Sequence, residues 1–297
     1  MTRTPEGRSG TPTRGQSVLK AAAWMGGALL SFSAMAISGR ELAGELHTFQ
    51  LLFFRSALGL ALIAVVLSVR GLWSTVATRR LPEHLMRNAV HFGAQYAWFV
   101  AIALLPLAQV FAIEFTVPLW TLLLAWIVLR EPLTRSRVLA VALGMIGVAM
   151  IVRPGARSFD AGTAIMLAGA IGFAISYLFV KRLVTSESAT AIIFWMSLIQ
   201  LPMALVPALA VWRWPSAATI PWILLIGVTA LSAHFCASRA LAEADASIVV
   251  PMDFLRLPLI AVVGAWAYAE PFDPMVIAGG ALMVIGNLAN LRGSRAR

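Results

Sequence analysis

Residues 109–132 read QVFAIEFTVPLWTLLLAWIVLREP, and residues 247–271 read SIVVPMDFLRLPLIAVVGAWAYAEP. Each is an apolar run holding one acid, Glu114 or Asp253. Each ends in a Glu-Pro pair, Glu131-Pro132 or Glu270-Pro271. A single offset of 139 residues superposes the two acids, the two Glu-Pro pairs, Phe115 on Phe254 and Gly147 on Gly286. A carboxylate inside a membrane span is costly and by default marks a functional site. Two of them in register across an internal repeat point to a transporter, because repeats place the substrate site at their interface near the bilayer midplane.

Composition agrees with a membrane protein. The chain is 60% hydrophobic and 12% charged, with mean hydropathy +0.85. A soluble domain carries about 25% charged residues. The net charge of +10 does not point to nucleic acid, since the basic residues lie scattered between apolar runs. The single Cys236 excludes an intrachain disulfide and a multi-cysteine metal site. No metal and no cofactor is expected.

A span needs about 20 apolar residues. Ten runs qualify, at 21–38, 49–69, 86–104, 107–129, 136–152, 161–180, 189–211, 219–238, 246–268 and 274–291. An all-α bundle follows, because irregular backbone cannot face lipid. The fifth run is short and suits an upright helix or a thinned bilayer. Residues 1–20 read as a disordered cytoplasmic tail, 21–152 as the first five-helix repeat, 161–291 as the second, and 292–297 as a second tail. The basic leader and Ala34-Met35-Ala36 resemble a cleavable signal. Removing that run would break the repeat, so it is read as a retained helix.

Orientation follows from Lys and Arg. With the N-terminus inside, seventeen of the 23 basic residues fall on the inner side. Arg70, Arg79, Arg80 and Arg87 are counted there. Four fall outside: Arg40, Arg153, Arg157 and Arg213. Both termini are therefore placed in the cytoplasm and the protein in the cell inner membrane. Five spans is an odd number, so the second repeat is inverted, the arrangement used for alternating access. Gly144, Gly147, Gly279, Gly280 and Gly286 are read as close helix contacts.

The stretches LLPLAQVFAIEFTVPLWTLLLAWIVLREPLTRSRVLAVALGMIGVAMIVRPG, ALAEADASIVVPMDFLRLPLIAVVGAWAYAEPF and LHTFQLLFFRSALGL resemble the EamA-type proteins of the drug/metabolite transporter superfamily. They match its fourth and fifth, ninth and second helices, and the likeness covers about residues 20–291. The resemblance implies ten helices with both ends inside. It implies solute transport without naming the solute, since members carry amino acids, nucleotide-sugars, riboflavin, S-adenosylmethionine and other metabolites.

Several polar residues are candidate substrate contacts. Arg55 either snorkels to the outer interface or lines a central cavity. Glu114 shares a stripe with Pro118 and Thr121. Pro118 has no N–H for the Glu114 carbonyl, so the helix should loosen at the acid. Asp253 and Arg256 stand at i and i+3, within contact distance. They are either a substrate clamp or a self-neutralising scaffold pair, and removal of both charges should restore the stability lost on removing one. Pro251 and Pro258 bracket them as a break or hinge. His91, Gln95 and Trp98 form one stripe, and the repeat sets Gln95 opposite His234. Trp98, Trp120, Trp195 and Tyr96 are candidates to stack on a planar ligand group. Trp73, Trp212, Trp214 and Trp222 suit the interfacial belt. Glu114 and Asp253 are the candidates for proton coupling.

No HExxH, GxSxG or GxxxxGK[ST] motif is present. The expectation is a secondary transporter of a small zwitterionic or heteroaromatic metabolite, an amino acid, S-adenosylmethionine or a riboflavin-like solute. It would have the bilayer and the solute as partners and act as a monomer or homodimer. The rival from another class is a polytopic membrane enzyme using His91 and Glu114 as acid and base.

Overall fold

Long apolar stretches with capped ends give a bundle of helices in the computed structural model. It describes residues 14–129, 135–152, 160–243, 249, 252–253 and 255–295. The helices are α1 (Arg14–Ala43), α2 (Thr48–Arg70), α3 (Leu81–Leu104), α4 (Leu107–Glu114), α5 (Val117–Leu129), α6 (Arg135–Val152), α7 (Ala161–Leu183), α8 (Ala189–Ala210), α9 (Ile220–Glu243), α10 (Arg256–Tyr268) and α11 (Pro274–Arg295). Among the described residues there is no strand.

Local chemistry sets several ends. The Asp160 carboxylate accepts the Thr163 N–H at 2.6 Å and starts α7. Ser188 Oγ accepts the Ala191 N–H at 3.0 Å and starts α8. Gly71 closes α2 at φ 62°, a left-handed position that glycine adopts without a Cβ clash. α1 begins at Arg14, inside the segment expected as tail. Residues 1–13, Glu131-Pro132, Pro251 and Phe254 lie outside the described residues.

α4 and α5 form one span, interrupted at Phe115–Thr116. Together with α1, α2, α7, α8 and α9 it is long and apolar enough to cross a membrane. α6, α10 and α11 have shorter apolar stretches. α3 has 24 residues but buries His84, Arg87, Asn88, His91 and Gln95, which lowers its hydropathy. With these four the bundle has ten spans. Its polarity is inverted relative to a soluble protein. Val206, Leu209, Val262 and Trp266 are exposed, while Gln50, Arg55, Ser56, Gln200 and Arg256 are buried. Lipid takes the place of a core for the first group.

The packing obeys a two-fold exchange of the halves. α1 packs on α9, and its counterpart α7 packs on α3. α2 pairs with its own counterpart α8, α6 with α11, and α4 with α10. At the α6–α11 crossing a Cβ on Gly147 would come within 2.6 Å of the Gly279 carbonyl, so backbone meets backbone there.

The two ends of the bundle confirm the inversion. At one end the last turn of α1 meets the start of α4 and the end of α10. Arg40 pairs with Glu270 at 3.0 Å, and Glu270 accepts the Leu107 N–H at 2.8 Å. There too Glu45 accepts from the backbone and hydroxyl of Ser216, which hold its carboxyl below the usual range. At the other end the α2–α3 connection meets the α7–α8 connection, through Thr78–Glu187 at 2.6 Å and Arg80 on the Arg182 carbonyl at 2.6 Å. α1 therefore ends at the first end and its counterpart α7 at the second. The fold is two five-span repeats of opposite sense.

Candidate functional site

Proline chemistry positions the two acids. Pro118 is the second residue of α5 and cannot donate to the Glu114 carbonyl four residues back. The helix accordingly breaks between Glu114 and Val117, with the Thr116 N–H turning onto the Ile113 carbonyl at 3.0 Å. Pro258 is the third residue of α10, inside its first turn, where a missing N–H is harmless. Asp253 and Arg256 lie where the chain enters α10, with a turn residue at Leu255. Both acids therefore sit just before the N-terminal end of a half-helix, whose dipole favours negative charge. Discontinuous spans of this kind build binding sites in transporters.

One guanidinium serves both acids. Arg256 Nη2 lies 3.2 Å from Glu114 Oε1 and 3.2 Å from Asp253 Oδ2. The Trp98 indole N–H donates to the other Glu114 oxygen at 2.7 Å. The Arg256 guanidinium also stands over Phe32, Phe111 and Phe115, at 4.7, 5.0 and 5.4 Å from the ring centroids. Its side chain is 5% exposed, against 19% for Glu114 and 33% for Asp253. The carboxylates are thus the reachable part of a fixed group. The bond to Glu114 joins residues 142 apart, across the boundary between the repeats.

The i, i+3 contact of Asp253 with Arg256 is present, and the third member, Glu114, enlarges the expected pair. Arg55 is buried and donates to Gln95 at 3.3 Å, so it does not snorkel outward. His91, Gln95 and Trp98 are all buried on α3. His91 Nδ1 lies 3.1 Å from Gln200, which also donates to Asn88 at 3.3 Å. His234 meets the edge of Phe32 at 5.6 Å and reaches the Arg256 group through that ring. Trp120 donates to Thr116 at 3.0 Å, beside the break. Trp195 is held elsewhere: its indole donates to the Val76 carbonyl at 2.9 Å and its ring lies beside His84. Tyr96 stacks on Phe49 at 4.6 Å. His91 and Glu114 have separate hydrogen-bond partners, Gln200 for one and Trp98 with Arg256 for the other.

Two residues escaped the sequence reading. Arg87, counted above as an inner-side charge, is in α3 and 7% exposed, bound to Asn88 at 2.9 Å. Stepping back four from His91 would have found it on the same stripe. Tyr177 of α7, the helix that packs on α3, has 56% of its surface open.

Two cavities lie at the end of the bundle where α1 and α10 finish. One of about 240 Å³ is lined by Pro106, Gln109, Glu270, Asp273 and Ile277. One of about 480 Å³ is lined by Glu45, His47, Trp212 and Arg213. Neither holds Glu114, Asp253 or Arg256.

Comparison with known proteins gives a consistent picture. Residues 19–153 and 160–292 each match the model of the EamA-like transporter family, one match per repeat. The chain is 24% identical over 265 residues to an S-adenosylmethionine uptake transporter of Rickettsia felis, covering 89% of this chain and 90% of that one. It is 28% identical over 232 residues to a riboflavin transporter of Vibrio cholerae, covering 77% and 78%. It is 27% identical over 274 residues to a pseudopaline exporter of Pseudomonas aeruginosa, covering 88% and 92%. A solved crystal structure shares the fold with a TM-score of 0.67 at 17% identity, covering 93% of this chain and 98% of that one.

Proposed function

The chain belongs to the EamA-like transporter family, and on that premise we propose that it is a secondary, alternating-access carrier of a small zwitterionic or heteroaromatic metabolite. An amino acid, S-adenosylmethionine or a riboflavin-like solute fits the reading. The observation that carries it is the sharing of Arg256 by Glu114 and Asp253 at two helix breaks. A cationic group of a solute, or a proton, competes with Arg256 for the Glu114 carboxylate. Because that contact crosses the repeat boundary, its loss frees α4 to move against α10. Phe32, half-buried beside Arg256, supplies a flat face for a ring. The relatives named for S-adenosylmethionine and riboflavin support that range of solutes.

The test is counterflow in proteoliposomes loaded with unlabelled methionine, S-adenosylmethionine or riboflavin. Labelled solute should accumulate unchanged, without ATP. Recovery of a converted product instead would point to the enzyme that uses His91 and Glu114.

We further place both termini in the cytoplasm of a cell with the protein in its inner membrane. Moving Arg87 into the bundle leaves sixteen inner basic residues against four outer ones, still a decisive bias. Reporter fusions after residue 157 should read outside, and after residue 185 inside. Reversal at both points would overturn this orientation.

A further inference from the structure

Arg55 and Arg87 are buried charges for which the described residues supply no anion. Their side chains touch neutral amides, Gln95 at 3.3 Å and Asn88 at 2.9 Å. Among the described residues neither has a carboxylate within salt-bridge distance, and the Nε of each is buried without a hydrogen-bond partner there. The acids nearby are committed elsewhere. Glu114 and Asp253 share Arg256, and Glu187 accepts from the Thr78 hydroxyl and lies 3.8 Å from His84. The Gln95 and Asn88 amides are seven residues, about two turns, apart on one side of α3, so both arginines reach the same stripe of that helix. Arg256, the other buried arginine among the described residues, has two carboxylates, and half-buried Arg40 has Glu270. Isolated like charges in a low dielectric are unfavourable unless something brings the counter-charge.

We propose that Arg55 and Arg87 form an oxyanion subsite, which receives a carboxylate or phosphate group of the transported solute. The solute would lie with its anion on Arg55 and Arg87 and its cationic end toward Glu114 and Asp253. Planar guanidinium forks suit either oxyanion. The inference rests on reading the chain as a solute carrier, but its test does not use transport.

Thermal unfolding of purified protein in detergent is measured in sodium acetate, sodium phosphate and sodium chloride of equal ionic strength. The proteins are wild type, Arg55→Gln, Arg87→Gln and Arg87→Lys. Acetate or phosphate should raise the wild-type midpoint above its value in chloride by roughly 2–4 °C. The rise should vanish in both glutamine variants and persist in the lysine variant. Comparison among variants removes the general salt effect on stability. A larger rise in acetate assigns the site to carboxylates, and in phosphate to phosphate groups. A wild-type midpoint equal in all three salts, or a rise that survives both glutamine variants, overturns the subsite whatever the variants' own stabilities. A preserved rise in a protein that moves no solute counts against the carrier reading alone.

Discussion

Arg256→Gln is expected to destabilise the protein more than any other single change in the acid–arginine group, by about 3–5 kcal/mol. The reason is a count of charges. Arg256 is the cation for two carboxylates, each 3.2 Å from the same nitrogen. Removing it leaves Glu114 and Asp253 facing one another without compensation. Contact with the Phe32, Phe111 and Phe115 rings is lost as well, at about 0.5–2 kcal/mol. Asp253→Asn leaves the Glu114–Arg256 pair balanced. It should cost less, about 1–3 kcal/mol before discounting for a side chain that is one-third exposed. With only two members in the pair, the double variant Asp253→Asn with Arg256→Gln would recover full stability. The third member changes that expectation. The double variant should recover part of the loss, and adding Glu114→Gln should recover most of the rest. Unfolding midpoints in mixed micelles would check the series. A double variant as stable as wild type would show that the Glu114 contact contributes nothing to folding.

The acids were legible in the sequence because a charge inside an apolar run is rare, and a repeat makes it visible twice. The break after Glu114 was legible because proline lacks an N–H wherever it stands. The Asp253–Arg256 contact needed only helical spacing. The Glu114–Arg256 contact follows from no local rule, since it exists only once α4 and α10 pack across the pseudo-two-fold. Arg87 was missed for a specific reason. α3 turns its polar side inward from His84 onward, so its first turns do not look like membrane, and the apolar run reads from 86 while the helix begins at Leu81. The tryptophans show the same limit. Trp98 and Trp195 read alike as candidate ring partners. One donates to Glu114 and the other to the Val76 carbonyl, a difference made by which helices pack against them.

Glu114→Gln is expected to lower turnover by at least ~10-fold, about 1.4 kcal/mol in barrier, in protein that still folds and inserts. Folding should survive because the Asp253–Arg256 pair remains balanced when Glu114 becomes neutral. Turnover should not survive because Glu114 uses both oxygens, one for Arg256 and one for the Trp98 indole. A glutamine has one oxygen, so its amide group must face one of those two donors. The variant also cannot exchange a proton or attract a cationic group, the two events proposed to release α4 from α10. Glu114→Asp is the control: it keeps the charge on a shorter arm and should retain more rate than the glutamine. Initial rates in proteoliposomes from pH 5.5 to 8, a range centred on physiological pH, separate the roles. A proton role predicts that the remaining rate of the glutamine variant loses the pH dependence of the wild type. A substrate-contact role alone predicts a lower rate with the same pH profile. Wild-type rates across the whole range would remove both roles and leave Glu114 as a partner that only holds Arg256 in place.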